Sequence, residues 1–184
     1  MNTPQALQNK QKKVARLIAK GKLKESIKPQ LQICKSDPSN IQNWMTLASL
    51  YGQTSDFPSV LNVCKKIEKM ETNNMAVFSL MGNAYAGMGQ MKEAHENYNK
   101  ALRINPNEPG LLNNLGNALY LDNKYEEAAE IFEKVIKLKP DYADAYNNLG
   151  NIYKALNEND KAIKYYEAAI KLNPLLSKTM LLSL

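Results

Sequence analysis

Seven asparagines fall in register at intervals of 34 residues: Asn83, Asn117 and Asn151 in one series, Asn113 and Asn147 in a second, Asn114 and Asn148 in a third. Tyr120 and Lys154 keep the same interval. A primary amide carries one acceptor group and two donors, the complement of both halves of a peptide bond, so a row of amides can hold an extended backbone with little regard for its side chains. The alternative is that they solvate an empty face and bond to one another. Asparagine is a poor helix former, by up to about 0.7 kcal/mol per residue relative to alanine, so its repetition on helices asks for a reason beyond solubility. Other chemistry finds less support. His95 is the single histidine, and no second His or paired Cys gives it metal-ligand spacing. Gly87 and Gly89 read as a turn between helices and lack the preceding strand of a phosphate-cradling loop. Cys34 and Cys64 are not closely paired and read as free buried thiols. No nucleophile, base and orienter set stands out, so no catalytic residue, metal or cofactor is expected.

The elements that must carry these amides follow from the same interval. Pro38, Pro106, Pro140 and Pro174 are separated by 68, 34 and 34, with Thr72 at the unfilled mark. A fixed period of this length describes a stack of similar units, whose work is done by a surface. Numbering each unit as if Ala143 were its first place, the eighth place is Gly82, Gly116 and Gly150, the twentieth Ala94, Ala128 and Ala162, and the twenty-fourth Tyr98, Phe132 and Tyr166. Large residues hold the fourth (Trp44, Phe78, Leu112, Tyr146), seventh (Leu47, Met81, Leu115, Leu149) and eleventh (Tyr51, Tyr85, Leu119, Tyr153) places. In the last unit Tyr146, Leu149, Gly150 and Tyr153 have the spacing of one helical face; Asn157 to Asp160 break the rhythm; Ala162, Ile163, Tyr166, Ala169 and Ile170 resume it in a second helix. Small residues at places 8 and 20 allow close approach of two backbones, and the closing proline ends the second helix.

This pattern of large apolar residue, Leu-Gly, Tyr, Ala, aromatic, Ala and closing Pro resembles the tetratricopeptide repeat family. The resemblance implies an all-α, right-handed superhelical solenoid of about five helix-turn-helix repeats forming one domain over residues 1–184: a degenerate repeat at 7–40, a divergent one at 41–74, clean repeats at 75–108, 109–142 and 143–176, and the start of a further, truncated helix at 177–184. In this family places 2, 5, 6, 9, 12 and 13 of the first helix line a concave groove. The groove residues implied are Asn83, Asn113, Asn114, Asn117, Tyr120, Asn147, Asn148, Asn151 and Lys154, with a peptide or partner protein as ligand; a partner helix anchored on Leu80 and Leu121 is the alternative occupant. Place 5 holds Ser79, Asn113 and Asn147, and place 2 holds Ala76, Gly110 and Asp144, so the cations of a carboxylate clamp are missing. The strings Asn114-Leu115-Gly116 and Asn148-Leu149-Gly150 are similar to the asparagine ladder in the repeat region of O-linked N-acetylglucosamine transferases. A second reading is therefore the substrate-recruiting arm of a glycosyl- or sulfotransferase whose catalytic domain lies outside the chain.

The ends differ from the middle. Pro58 suits a first helical turn, whereas Pro29 is expected to interrupt the second helix of a polar, kinked N-terminal cap. Leu175, Leu176, Met180, Leu181, Leu182 and Leu184 restart the apolar frame and read as a truncated end, open to packing against something else, including a second copy. Charge is asymmetric: residues 1–40 hold nine Lys or Arg against two acids, +7, and residues 41–184 hold fifteen against sixteen, −1. Nucleic acid or an anionic surface could be attracted to Lys10, Lys12, Lys13, Arg16 and Lys20, making nucleic-acid binding the third reading. No aromatic residue precedes Trp44 to stack a base, so a solvated cap face is the alternative. No apolar run reaches membrane length and no signal-peptide stretch opens the chain, so a cytoplasmic protein without a membrane partner is expected.

Overall fold

The computed structural model describes residues 4–176, and these form ten helices: α1 (Pro4–Ala19), α2 (Leu23–Ser36), α3 (Ile41–Gln53), α4 (Phe57–Glu68), α5 (Met75–Gly87), α6 (Met91–Ile104), α7 (Pro109–Leu121), α8 (Tyr125–Leu138), α9 (Ala143–Ala155) and α10 (Asn159–Leu172). The fold is an all-α array of helix hairpins. Places 1–13 form the first helix in α3, α5, α7 and α9, and place 17 opens the second helix in every repeat, including the degenerate first one. Asn40, Asn74 and Glu108, each just before a first helix, accept hydrogen bonds from the backbone N–H groups of Asn43, of Ala76 and Val77, and of Gly110. They satisfy donors that the helix itself leaves open.

The turn inside each hairpin is the most regular feature. Gly21, Ser55, Gly89, Asn123 and Asn157 all occupy place 15 with φ between 59° and 75°, the left-handed region. The next residue then donates its N–H back across the end of the first helix: Lys22 to Leu17, Asp56 to Tyr51, Gln90 to Tyr85, Lys124 to Leu119 and Glu158 to Tyr153, at 2.8–2.9 Å. This is the left-handed C-terminal cap that Gly and Asn favour. Ser55 is the one member ill suited to it. Ser55→Gly is accordingly expected to raise the unfolding free energy by about 0.5–1 kcal/mol, read as a higher thermal midpoint; an unchanged or lower midpoint would refute it.

The chain divides into two compact units, one ending at Ile104 and the other beginning at Asn105. In the first, Cys34, Trp44, Leu47, Val60, Cys64 and Ile67 belong to one buried cluster that joins α2, α3, α4 and α5. Burial pushes the thiols of Cys34 and Cys64 up, to about 11 and about 12, and both are free. In the second, Leu112, Leu149, Ile152, Phe132 and Val135 are among the buried core. In α3, α5, α7 and α9 places 4, 7 and 8 are buried as their spacing predicts, apart from the half-buried Tyr146. Places 3 and 10 are buried as well, in Leu50, Val77, Ala84, Leu111, Ala118, Ala145 and Ile152. A helix inside a stack meets neighbours on two sides, which widens its apolar stripe beyond the one face read from spacing. In α1 those two places carry Asn9 and Arg16, both exposed, so the first helix presents a polar outer face.

Two local expectations need correction. α2 runs unbroken through Pro29, held by the burial of Ser26, Gln30, Ile33 and Cys34 on either side of it. Gly87 lies in no turn: it is the last residue of α5, and the Phe57 ring covers the place where a side chain would stand. Pro58 falls in the first turn of α4, after Asp56, which caps the N–H of Ser59 at 3.3 Å. Met180, Leu181, Leu182 and Leu184, with the further helix expected at 177–184, lie outside the described residues.

Candidate functional site

Eight of the nine groove residues lie in the second unit, on α7 (Asn113, Asn114, Asn117, Tyr120) and α9 (Asn147, Asn148, Asn151, Lys154). All six asparagines there and Tyr120 are half-buried, and Lys154 is exposed. The packing of Leu112, Leu115 and Gly116 on one side of α7, and of Leu149 and Gly150 on one side of α9, turns these amides outward from the core.

The amides are joined across repeats. Asn148 of α9 donates from Nδ2 to Oδ1 of Asn117 on α7 at 2.9 Å, and to Oδ1 of Asn113 at 3.5 Å. Asn151 is tied differently: the Tyr166 hydroxyl on α10 donates to its Oδ1 at 2.8 Å. In the first unit Asn83 on α5 stands at the equivalent place, and the Tyr98 hydroxyl on α6 donates to its Oδ1 at 2.7 Å. Burial pushes both tyrosine hydroxyls up, with Tyr120 adding to the effect at Tyr166, so they remain protonated and remain donors.

Phe132 explains why the middle repeat differs. The rings of Tyr98, Phe132 and Tyr166 lie over Gly82, Gly116 and Gly150, one residue before the asparagine of place 9. Where the ring carries a hydroxyl, it engages that asparagine. Phe132 has none, so Asn117 accepts from Asn148 instead. After these bonds Asn148 keeps its carbonyl, and Asn117 and Asn151 keep their amide donors, none of them a buried atom lacking a partner. The Tyr120 ring lies 5.5 Å from that of Tyr125, at 53°, beside this row.

The structure therefore brings Asn113, Asn117 and Asn148 into direct contact, and ties Asn83 and Asn151 separately to tyrosines. The hydroxyls of Tyr98 and Tyr166 are hydrogen-bond partners of these asparagines that spacing had assigned to packing alone. Their signal lay in the recurrence of a Tyr fifteen residues after the asparagine, Asn83 to Tyr98 and Asn151 to Tyr166. The same inner places in the first unit carry no asparagine before Asn83; there Met45, Thr46, Ser49 and Leu80, the last of them expected from the sequence as an anchor for a partner helix, help to line an open hollow of about 440 Å³. Among the described residues no three His, Cys, Asp or Glu side chains converge as a metal site would require, and no helix is long and apolar enough to cross a membrane.

Family models match the second half of the chain and part of the first. A TPR repeat model matches residues 82–123 and 116–157, and a tetratricopeptide repeat model matches 143–174, so together they span 82–174 of the 184 residues. Among solved structures, a crystal structure of MamA is similar at 22% identity and a TM-score of 0.75, covering 90% of this chain and 96% of that one. TTC0263, a thermophilic TPR protein of Thermus thermophilus, is similar at 18% identity and a TM-score of 0.75, covering 92% of each chain. YrrB, described as a TPR protein with an unusual peptide-binding site, is similar at 22% identity and a TM-score of 0.66, covering 88% of this chain and 83% of that one. At these identities the likeness is one of fold.

Proposed function

We propose, for a chain that belongs to the tetratricopeptide repeat family, that it is a protein-interaction scaffold which holds an extended peptide segment of its partner on the amide row of α7 and α9. The observation that carries this reading is the bond from Asn148 to Asn117 at 2.9 Å. It joins two repeats and uses neither the Asn148 carbonyl nor the Asn117 amide donors, the two kinds of group that a peptide bond needs. The tyrosine bond to Asn151 acts in the same sense. An amide whose oxygen is already held has little rotamer freedom left to lose when a ligand binds.

Asn113, Asn114 and Asn147 extend the row, Tyr120 and Lys154 border it, and Asn83 in the first unit has its amide oxygen held by a tyrosine as Asn151 does. Because the contacts are to backbone, the row selects for an extended conformation more than for particular side chains. The test is to pan a random-peptide phage library against the intact chain and to titrate the recovered peptides against a variant carrying Asn114→Ala, Asn117→Ala, Asn148→Ala and Asn151→Ala. Each lost hydrogen bond is worth about 0.5–1.5 kcal/mol, so affinity should fall at least about tenfold. The circular dichroism spectrum should stay helical. Undiminished binding by the folded variant would remove the amide row from the function.

A further inference from the structure

Charge is divided between the two units, and we propose that it joins copies of this chain, the basic outer side of α1 in one copy docking on the acidic side of α8 in another. Residues 1–104 hold fifteen Lys or Arg against seven acids, +8, and residues 105–184 hold nine against eleven, −2. The densest run of each sign lies on one side of one helix.

α1 contains no acid. Lys12, Lys13, Arg16 and Lys20 fall within an arc of about 100° around it. All four are exposed, and they line one hollow of about 520 Å³ together with the half-buried Leu17. The single acid among residues 1–36, Glu25, is engaged by Lys22 at 3.0 Å and does not neutralise them. Lys12 with Arg16, and Arg16 with Lys20, are like charges four residues apart, a spacing that destabilises a helix left to itself. Arg16 also marks what kind of body this side receives. It holds place 10, which in α3, α5, α7 and α9 is Leu50, Ala84, Ala118 and Ile152, all buried. That side of a first helix is shaped to lie against other helices, and on α1 it stands open.

α8 carries the same pattern with the sign reversed. Glu126, Glu127, Glu130 and Ile131 have the spacing of Lys12, Lys13, Arg16 and Leu17. The three glutamates are exposed and Ile131 is half-buried. The α1 cations and these glutamates form no ion pair among the described residues. The acidic stretch runs from Glu126 to Glu133, about 10 Å of helix, and the basic stretch from Lys12 to Lys20, about 12 Å. Lys134 then ends the acidic stretch, its Nζ donating to the Pro106 carbonyl at 2.9 Å. Two such helices set cations opposite acids over the same length, with one apolar residue at the margin of each.

A second copy fits the α1 face better than a nucleic acid. A phosphate backbone would answer the cations but neither Leu17 nor the matching acids of α8, and no Phe, Tyr or Trp precedes Trp44 to stack a base. Because each copy offers one face of each sign, the contact is heterologous, and association continues past the pair unless a ring closes.

Sedimentation velocity of the intact chain at rising concentration tests this. In about 50 mM salt the weight-average sedimentation coefficient should rise with concentration. The association constant should fall at least about tenfold by about 500 mM salt, where exposed charges are screened. Two variants each reverse one face: Lys12→Glu with Arg16→Glu and Lys20→Glu, and Glu126→Lys with Glu127→Lys and Glu130→Lys. Only exposed side chains change, and circular dichroism should show both variants helical. Each alone should associate at least about tenfold more weakly than the intact chain. Their equimolar mixture should associate again, because the acidic α1 of one meets the basic α8 of the other, a recovery that a misfolded variant could not give. The variant carrying Asn114→Ala, Asn117→Ala, Asn148→Ala and Asn151→Ala should self-associate as the intact chain does, so this contact and the amide row are tested separately. The proposal is overturned if the intact chain stays monomeric at low salt, if either reversal leaves association unchanged, or if the mixture stays as weak as its components. Association that survives high salt and both reversals belongs to another surface and overturns it equally. Retention of a duplex oligonucleotide by a monomeric intact chain, lost on reversing α1, would assign that face to nucleic acid instead.

Discussion

Phe132→Ala is expected to lower the unfolding free energy by about 3–5 kcal/mol, the range for removing a large buried ring. Phe132 is fully buried, and its ring lies over Gly116, where α7 and α8 approach each other. The hairpin cannot close on the vacated volume, because backbone fixes the gap from both sides. Against a total of about 5–15 kcal/mol for a domain, such a loss leaves the second unit marginal. Urea denaturation followed by circular dichroism reads it directly, and a loss below about 1 kcal/mol would contradict the packing described for this ring. Phe132→Tyr makes the complementary case. Tyr98 and Tyr166 place their hydroxyls 2.7 and 2.8 Å from the matching asparagines, so a hydroxyl on residue 132 should reach Asn117 and compete with Asn148. Stability should then change by no more than about 1 kcal/mol, since one hydrogen bond replaces another.

The glycines should respond to alanine with opposite signs. At Gly116 a Cβ would stand 2.8 Å from the Phe132 ring, at Gly82 it would stand 2.6 Å from Tyr98, and at Gly150 it would enter the Tyr166 ring. At Gly52 in α3 the nearest atom is a Val60 methyl carbon at 3.8 Å, an ordinary contact. Alanine gains about 1 kcal/mol over glycine from helix propensity alone. At Gly52 that gain stands unopposed and the variant should be more stable by about 0.5–1 kcal/mol. At Gly116 and Gly150 the overpacked ring outweighs it, and a net loss of about 1–3 kcal/mol is expected. Thermal midpoints that rose for all of these variants alike would show that the rings yield freely and that close approach is not what selects glycine at place 8.

Much of this fold was legible before any coordinates. The proline interval located the repeats, the spacing of Tyr146, Leu149, Gly150 and Tyr153 located a helix, and the break at Asn157 located its turn. These features are local: each depends on backbone preference or on side chains within one turn of each other, and both repeat with the sequence. Pro29 escaped the same reasoning. Its penalty for a helix interior is local too, but the burial of Gln30, Ile33 and Cys34 against the rest of the first unit overrides it.

The amide row divides along the same line. That Asn113, Asn114, Asn117, Asn147, Asn148 and Asn151 share the outward side of two helices followed from 100° per residue and from the positions of the core residues. Which of their atoms remain for a ligand did not. Asn117 owes its state to the absence of a hydroxyl on Phe132 and to the arrival of Asn148 from the next repeat, 31 residues away, and Asn151 owes its state to Tyr166, 15 residues away. A hydrogen bond extends only about 3 Å, so such pairings exist only after hairpins have closed and stacked. Periodicity names the face, and packing between helices chooses the atoms on it.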